Sequence, residues 1–295
     1  MASLNDWVEG ARLRTLPAAA APVFIGMGGA AYLGGFSFWR SALALLVGLL
    51  LQVGVNFAND YSDGVRGTDE HRSGPPRLTA GGGASPRTVL TIALSCFGLA
   101  GLLGLVLLWI SGQWVLLIPG VAAVVAAWFY TGGRHPYGYM GVGLSELFVF
   151  LFFGLFATVG TTWVQVPSAP ARLWVGATGV GLLSIALLFI NNIRDIPTDK
   201  LSGKRTLPVR LGDSRSRLAY YGLVIIGVCA GTVAAPGFLG SLCTLVVLAA
   251  LAVIAARPVW QGASGRDLLH PLKMTGILTL AYGLLVGGFL ALAGF

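Results

Sequence analysis

Charge is what this sequence has least of. Only 10% of its 295 residues are Asp, Glu, Lys or Arg, where a soluble domain carries about a quarter. With 56% hydrophobic residues and a mean hydropathy of +0.80, the deficit exceeds what a buried core explains and excludes an ordinary soluble domain. Cysteine is scarce too. Cys96, Cys229 and Cys243 each sit inside an apolar run, which excludes a disulfide framework or a cysteine metal site and leaves them as small core hydrophobes. His71, His135 and His270 lack metal-ligand spacing. The net charge of +8 does not describe a nucleic-acid surface, because no basic patch is free of flanking apolar segments. No nucleic-acid partner is expected.

Long apolar runs fill the space that charge leaves. Phe238 to Ala256 carries no charge at all, and a run of about 18 residues or more marks a membrane helix. Nine spans follow along the chain: 17–36, 40–59, 87–110, 113–131, 143–163, 171–193, 216–235, 238–256 and 272–294. The expected fold is all-α, a polytopic bundle of nine transmembrane helices forming one domain over residues 1–295. The first span follows Arg12 and Arg14 as a signal peptide would. It continues to Tyr32 with no polar region after Ala18-Ala19-Ala20, and so reads as a retained helix. With a cytoplasmic N-terminus, only Arg40 and Arg172 of the 19 Lys and Arg fall outside. That asymmetry orients the chain in the cell membrane.

Acidic residues are few, eleven in all, yet every one falls in a cytoplasmic segment or at the cytoplasmic end of a span. Orientation does not require this, since Asp and Glu contribute little to it. Two connections are long, Tyr61 to Arg87 and Arg194 to Arg217, and loops of more than about 12–15 residues are usually functional or disordered. Each opens on an Asn/Asp cluster. In the first, Asn56, Asp60 and Asp63 recur at i, i+4 and i+7, with Asn59 four residues before Asp63 and Asp69 beyond; such spacing shares one helix face. In the second, Asn191, Asp195 and Asp199 are spaced by four, with Pro197 expected to weaken regular helix there.

Carboxylates gathered on one helix face repel and need a cation. All-oxygen donors from Asp and Asn suit a hard ion such as Mg²⁺, which takes one or two carboxylates and completes its octahedron with water and substrate phosphate. Arg66, Arg72, Arg77, Lys200, Lys204 and Arg205 lie beside the carboxylates, in place to hold phosphate oxygens. Solvated loops with surface ion pairs would explain one Asp; two clusters at one membrane face are poorly served by that reading. Tyr130, Tyr137 and Tyr139 suit either stacking on an aromatic ligand or cation or an interfacial belt. Glu146 at a span start fits acceptor positioning or simply a helix N-terminus.

These motifs resemble the UbiA superfamily of intramembrane prenyltransferases. The likeness rests on the Asn-x-x-x-Asp spacing after the second span, on Asp195-x-x-x-Asp199 after the sixth, and on the count of nine helices. Arg12-Leu-Arg-Thr-Leu-Pro17, the Asn-x-x-Asn-Asp-Tyr-x-Asp form of the first motif, and Tyr130 to Tyr139 leading into Glu146 to Gly154 resemble its menaquinone branch. One departure stands out: Gly67 occupies the place of a third carboxylate often found in the first motif, and Asp69 comes two residues later.

The resemblance implies a UbiA-like bundle with cytoplasmic active-site loops, set in membrane lipid. It implies Mg²⁺-dependent transfer of a polyprenyl group from polyprenyl diphosphate to 1,4-dihydroxy-2-naphthoate, with loss of carbon dioxide, in menaquinone biosynthesis. The metal and diphosphate set it implies is Asn59, Asp60, Asp63, Asp195 and Asp199, with Asn56, Asp69 and Asn191 as further choices. Arg66, Lys200, Lys204 and Arg205 are the phosphate contacts. Asp63, Asp195 and Tyr139 are the catalytic candidates, and Tyr130, Tyr137 and Glu146 the acceptor contacts. The alternatives are another aromatic acceptor such as 4-hydroxybenzoate or, in a different class, a cation-coupled transporter. A transporter needs charge near the bilayer midplane, whereas here the outer halves of the spans are almost uncharged.

Overall fold

A computed structural model describes residues 2–68 and 77–294. Every apolar run of the sequence becomes helix. After a short N-terminal turn of helix, α1 (Leu4–Gly10), come α2 (Leu16–Tyr32), α3 (Phe38–Val65), α4 (Pro86–Ser111) and α5 (Leu117–Phe129). The fifth predicted span is a composite of α6 (Leu144–Val149), a π-helical stretch (Phe150–Phe156) and α7 (Ala157–Trp163). Then follow α8 (Ala171–Leu201), the short α9 (Leu207–Leu211), α10 (Asp213–Ala234), α11 (Gly237–Trp260) and α12 (Leu269–Ala293). Among the described residues, 8 helices are long and apolar enough to cross a membrane, and the fourth predicted span is the shorter apolar helix Trp114–Phe129. The chain is a multi-pass membrane protein.

Local chemistry sets the ends. Ser37 and Ser85 accept the backbone N–H of Arg40 and Thr88 at the starts of α3 and α4, as N-cap serines do. Gly112 ends α4 at φ 72°, a left-handed cap that glycine adopts without strain. Two ends depart from expectation. The second span continues past residue 59 to Val65, and the sixth runs through Pro197 to Leu201. Apolarity ends where lipid ends; helix does not have to.

α8 is the axis of the bundle, with 72% of its apolar window buried. Around it pack α2, α10 and α12 on one side and the π-containing helix on another. Small residues make the tightest seams, as expected in lipid. Between α2 and α12, a Cβ on Gly28 would stand 2.0 Å from the carbonyl oxygen of Gly287. α3 and α4 form a second packed hairpin. Between these groups the bundle leaves an internal cavity, open at the end where α3 and α8 finish.

The two arginines that break the charge asymmetry are helix caps. Arg40 donates to the carbonyls of Ile110, Val164 and Gln165; Arg172 donates to those of Val233 and Ala235. Each satisfies carbonyls orphaned at helix C-termini.

Candidate active site

The two Asn/Asp clusters meet across one cavity of about 640 Å³. On α3 the polar side chains that line it are Gln52, Asn56, Asn59 and Asp63. They recur at alternating spacings of four and three, the stripe that one face of a helix presents. On α8 the lining residues include Asn191, Asn192, Asp195 and Asp199. Both acidic stripes lie on the last turns of long helices, so the cavity is polar at its mouth and apolar in its depth. The deeper wall includes Leu105, Leu108, Leu117 and Val121.

Asp63 is engaged through both of its oxygens. Buried at 2% exposure, it accepts a hydrogen bond from the Tyr139 hydroxyl and another from Lys204 Nζ at 2.9 Å. Arg77 Nη2 stands 4.0 Å away. Lys204 Nζ also lies 4.7 Å from the centroid of the Tyr139 ring. Burial alone would push this ammonium down, but Asp63, with smaller contributions from Tyr139 and Asp199, raises it above its ordinary value. The Tyr139 hydroxyl is pushed up to about 12 by burial and the Asp63 charge, so it stays a donor at neutral pH.

Several predicted residues pack around the cavity rather than face it. Asp60 is fully buried, and its two oxygens accept the backbone N–H groups of Leu78 at 3.0 Å and Thr79 at 2.9 Å. One residue past Asn59, it is rotated about 100° off the lining stripe and anchors the returning loop. Arg66 does not line the cavity; its guanidinium donates to the carbonyls of Thr131 and Gly133. Lys200 and Arg205 are exposed and outside the lining, each offset by one residue from a neighbour that faces in. Asn56 lines the cavity but donates to the Ala11 carbonyl and Thr15, tying α3 to the N-terminal segment. Asp69 lies outside the described residues.

The aromatic residues form a wall. Tyr130 and Tyr137 are in edge contact at 5.6 Å, Tyr137 meets Phe148 at 4.9 Å, and Phe152 and Phe156 continue the row along the π-helical segment. All five, with Tyr139, line the cavity. The Tyr137 hydroxyl donates to the Ala126 carbonyl. Glu146 is buried next to this wall with Oε1 unpaired, but it is not among the lining side chains.

Sequence reading undervalued three groups. Arg194 is 3% exposed and grips Asp195 with two bonds of 2.7 and 2.6 Å, plus Asn191 at 3.0 Å. Its signal was its place between Asn191 and Asp195, where a buried arginine requires acceptors. Arg12 and Arg77 line the cavity. Phe148, Phe152 and Phe156 recur every four residues, the spacing of one helix face.

Among the described residues, no three His, Cys, Asp or Glu side chains form a metal-holding group. Asp63, Asp195 and Asp199 with Asn59 and Asn191 still offer hard oxygen donors around one cavity. That set suits an ion that takes only one or two carboxylates and shares its remaining positions with water and phosphate. An all-protein cage is not needed for such an ion.

Comparison with known proteins gives the fold its family. Residues 19–269 match the UbiA prenyltransferase family. The chain is 47% identical to a 1,4-dihydroxy-2-naphthoate octaprenyltransferase of Mycobacterium tuberculosis, over 99% of this chain and 98% of that protein. It is 44% identical to the Mycobacterium leprae protein of the same name, over 100% and 99%. Among solved structures, a UbiA homologue from Archaeoglobus fulgidus bound to GPP and Mg²⁺ superposes with a TM-score of 0.66 at 17% identity, covering 96% of this chain and 99% of that one. An apo UbiA homologue from Aeropyrum pernix gives 0.68 at 16% identity, covering 92% and 96%. With the family match running over most of its length and full-length relatives at 44–47% identity, the chain belongs to the UbiA prenyltransferase family.

Proposed function

We propose that this protein transfers a polyprenyl group from polyprenyl diphosphate to 1,4-dihydroxy-2-naphthoate, releasing diphosphate and carbon dioxide. The observation that carries the reading is the joining of Asp63, Lys204, Asp195 and Asp199 at the mouth of one aromatic-walled cavity. The names of the mycobacterial relatives direct the choice of acceptor.

Lys204 and Arg77 border the mouth and bind the donor's phosphate oxygens, by point charge and by fork respectively. Asp63, Asp195 and Asp199, with Asn59 and Asn191, would hold magnesium, which when bound supplies positive charge to the departing diphosphate. Arg194 orients Asp195 through two hydrogen bonds. As the carbon–oxygen bond breaks, its electron pair leaves with diphosphate and the allylic carbon becomes cationic. The faces of Tyr130, Tyr139 and Phe152 shield that carbon from water and stabilise its charge. The ring carbon bearing the carboxylate attacks. Carbon dioxide departs, and its bonding electrons restore the aromatic ring. The apolar depth of the cavity takes the prenyl tail. Leu105, Leu117, Val121 and Val125 line it and are also exposed on the bundle surface, so a long tail continues into lipid. We place the protein in the cell membrane as one domain, with its N-terminus and the cavity mouth on the cytoplasmic side.

The test is purified protein in detergent with 1,4-dihydroxy-2-naphthoate, a polyprenyl diphosphate, and either magnesium or EDTA. Magnesium-dependent formation of the prenylated quinol with release of carbon dioxide is expected. Turnover with another aromatic but not with the naphthoate would refute the acceptor assignment. No turnover with any acceptor would refute prenyl transfer.

A further inference from the structure

The loop from Tyr130 to Gly143 and the segment after α8 come from different halves of the chain, yet their backbones lie directly against one another. The carbonyl of Tyr139 accepts the backbone N–H of Arg205 at 3.0 Å. Two residues later Gly141, at φ +60°, is seated so closely that a Cβ would stand 1.8 Å from the Arg205 carbonyl oxygen and 2.9 Å from the Thr206 carbonyl. Those obstacles are backbone atoms, which cannot rotate aside.

The consequence lies in the side chains of the facing segment. In extended chain, alternate residues point to opposite sides. Lys204 and Thr206 line the cavity, while Arg205 between them is exposed. Lys204 reaches Asp63 on α3, and Thr206 Oγ1 stands 3.5 Å from Asp199 Oδ2 on α8. A slip of one residue would turn Arg205 inward and remove both contacts. The contact at Gly141 therefore sets which side chains meet the two acidic stripes.

We propose that Gly141 is a positioning residue for donor binding. By admitting the backbone of 205–206 against its own α-carbon, it fixes the register that delivers Lys204 to Asp63 and Thr206 to Asp199. The inference rests on reading the cavity mouth as the prenyl diphosphate site. Gly141 touches no substrate itself.

Gly143 provides an internal control. It has φ +85° in the same loop, but a Cβ there meets nothing within 4 Å. Gly141→Ala and Gly143→Ala thus share the left-handed strain of a non-glycine residue, and only the first adds the collision. With full-length protein in detergent, Gly141→Ala is expected to lower donor kcat/KM by about a hundredfold, the scale of an ångström's misplacement. Acceptor KM should stay within about threefold, and so should every parameter of Gly143→Ala. Equal losses in both variants would assign the effect to strain and overturn the proposal. So would a Gly141→Ala protein with normal donor kinetics.

Should Gly141→Ala fail to fold, Arg205→Pro carries the test, since it removes the N–H that Tyr139 accepts. The same donor-selective loss is expected; normal donor kinetics, or failure of both variants to fold, would overturn the positioning role. Wild-type protein that uses no prenyl diphosphate would instead refute the donor-site reading, a failure visible before any variant is compared.

Discussion

Replacing Asp63 by Asn separates the chemistry of the site from its stability. In the native structure one oxygen of Asp63 accepts from Tyr139 and the other from Lys204 at 2.9 Å. A carboxamide of the same shape keeps an oxygen for the ammonium, and the Tyr139 hydroxyl turns to accept from the new N–H₂. Shape survives while charge does not. Lys204 is left as a buried cation without its partner, and breaking a buried pair costs about 3–5 kcal/mol. The Lys204 side chain keeps 15% exposure and Asp199 contributes nearby, which lowers the expected cost to about 2–3 kcal/mol. Adding Lys204→Met removes the orphaned charge and puts an apolar chain in its place, so Asp63→Asn/Lys204→Met should regain most of the loss. Turnover behaves differently. Both variants lack the carboxylate, and the double variant also lacks the ammonium, so each should fall by at least about a thousandfold. The assay pairs thermal midpoints in detergent with quinol formation at saturating substrates. Asp63→Asn that keeps turnover within about tenfold would refute its place in the machinery. A double variant no more stable than Asp63→Asn would refute the buried-pair argument.

Three other outcomes follow from the same contacts. Asp60→Ala strips both acceptors from the Leu78 and Thr79 N–H groups, and should cost about 2–4 kcal/mol in the thermal midpoint and detach the returning loop, read as faster proteolysis after Arg77. Arg40→Ala loses its bonds to Ile110, Val164 and Gln165, far from the cavity mouth; stability should fall by about 1.5–3 kcal/mol while turnover per folded molecule is unchanged. Because Lys204 is raised above its ordinary 10.5, its pairing is fully present below about pH 10.4 and lost only as pH rises through the higher folded value. The stability difference between wild type and Lys204→Met should therefore be flat from about pH 7 to 9, checked by thermal midpoints across that range.

Much of this architecture is legible in the sequence, because lipid tolerates so few alternatives. A segment without charge in a bilayer must satisfy its own backbone, and helix is what does so. The cue is apolarity, so it fails where polar residues are allowed. It ended the second span at residue 59 and the sixth at 193, although the helices continue to Val65 and Leu201. Asp63, Asp195 and Asp199 all sit on those unmarked extensions. Spacing alone grouped Asn56, Asp60 and Asp63, but a stripe becomes a site only where a cavity faces it. Placing Asp63 inside and Asp60 against a loop needed the tertiary structure. Phe148, Phe152 and Phe156 were hidden for the opposite reason: in an apolar helix, a functional aromatic face and a packed one look alike.

Basic residues carried two meanings that composition cannot part. Lys and Arg near helix ends orient a membrane chain, and they also cap orphaned carbonyls. The structure shows the second use at both ends of the bundle. Arg40 and Arg172 cap helix ends away from the mouth, while at the other end Arg217 donates to the carbonyls of Val259 and Ala263 and Arg66 to those of Thr131 and Gly133. A cation engaged by carbonyls has its donors directed away from a ligand. The cations that line the cavity are Arg12, Arg77 and Lys204, and Arg194 holds the lining carboxylate Asp195. On the proposed function, a change of charge at Lys204 or Arg77 should lower donor kcat/KM, whereas a change at Arg40 should lower stability and leave turnover per folded molecule unchanged.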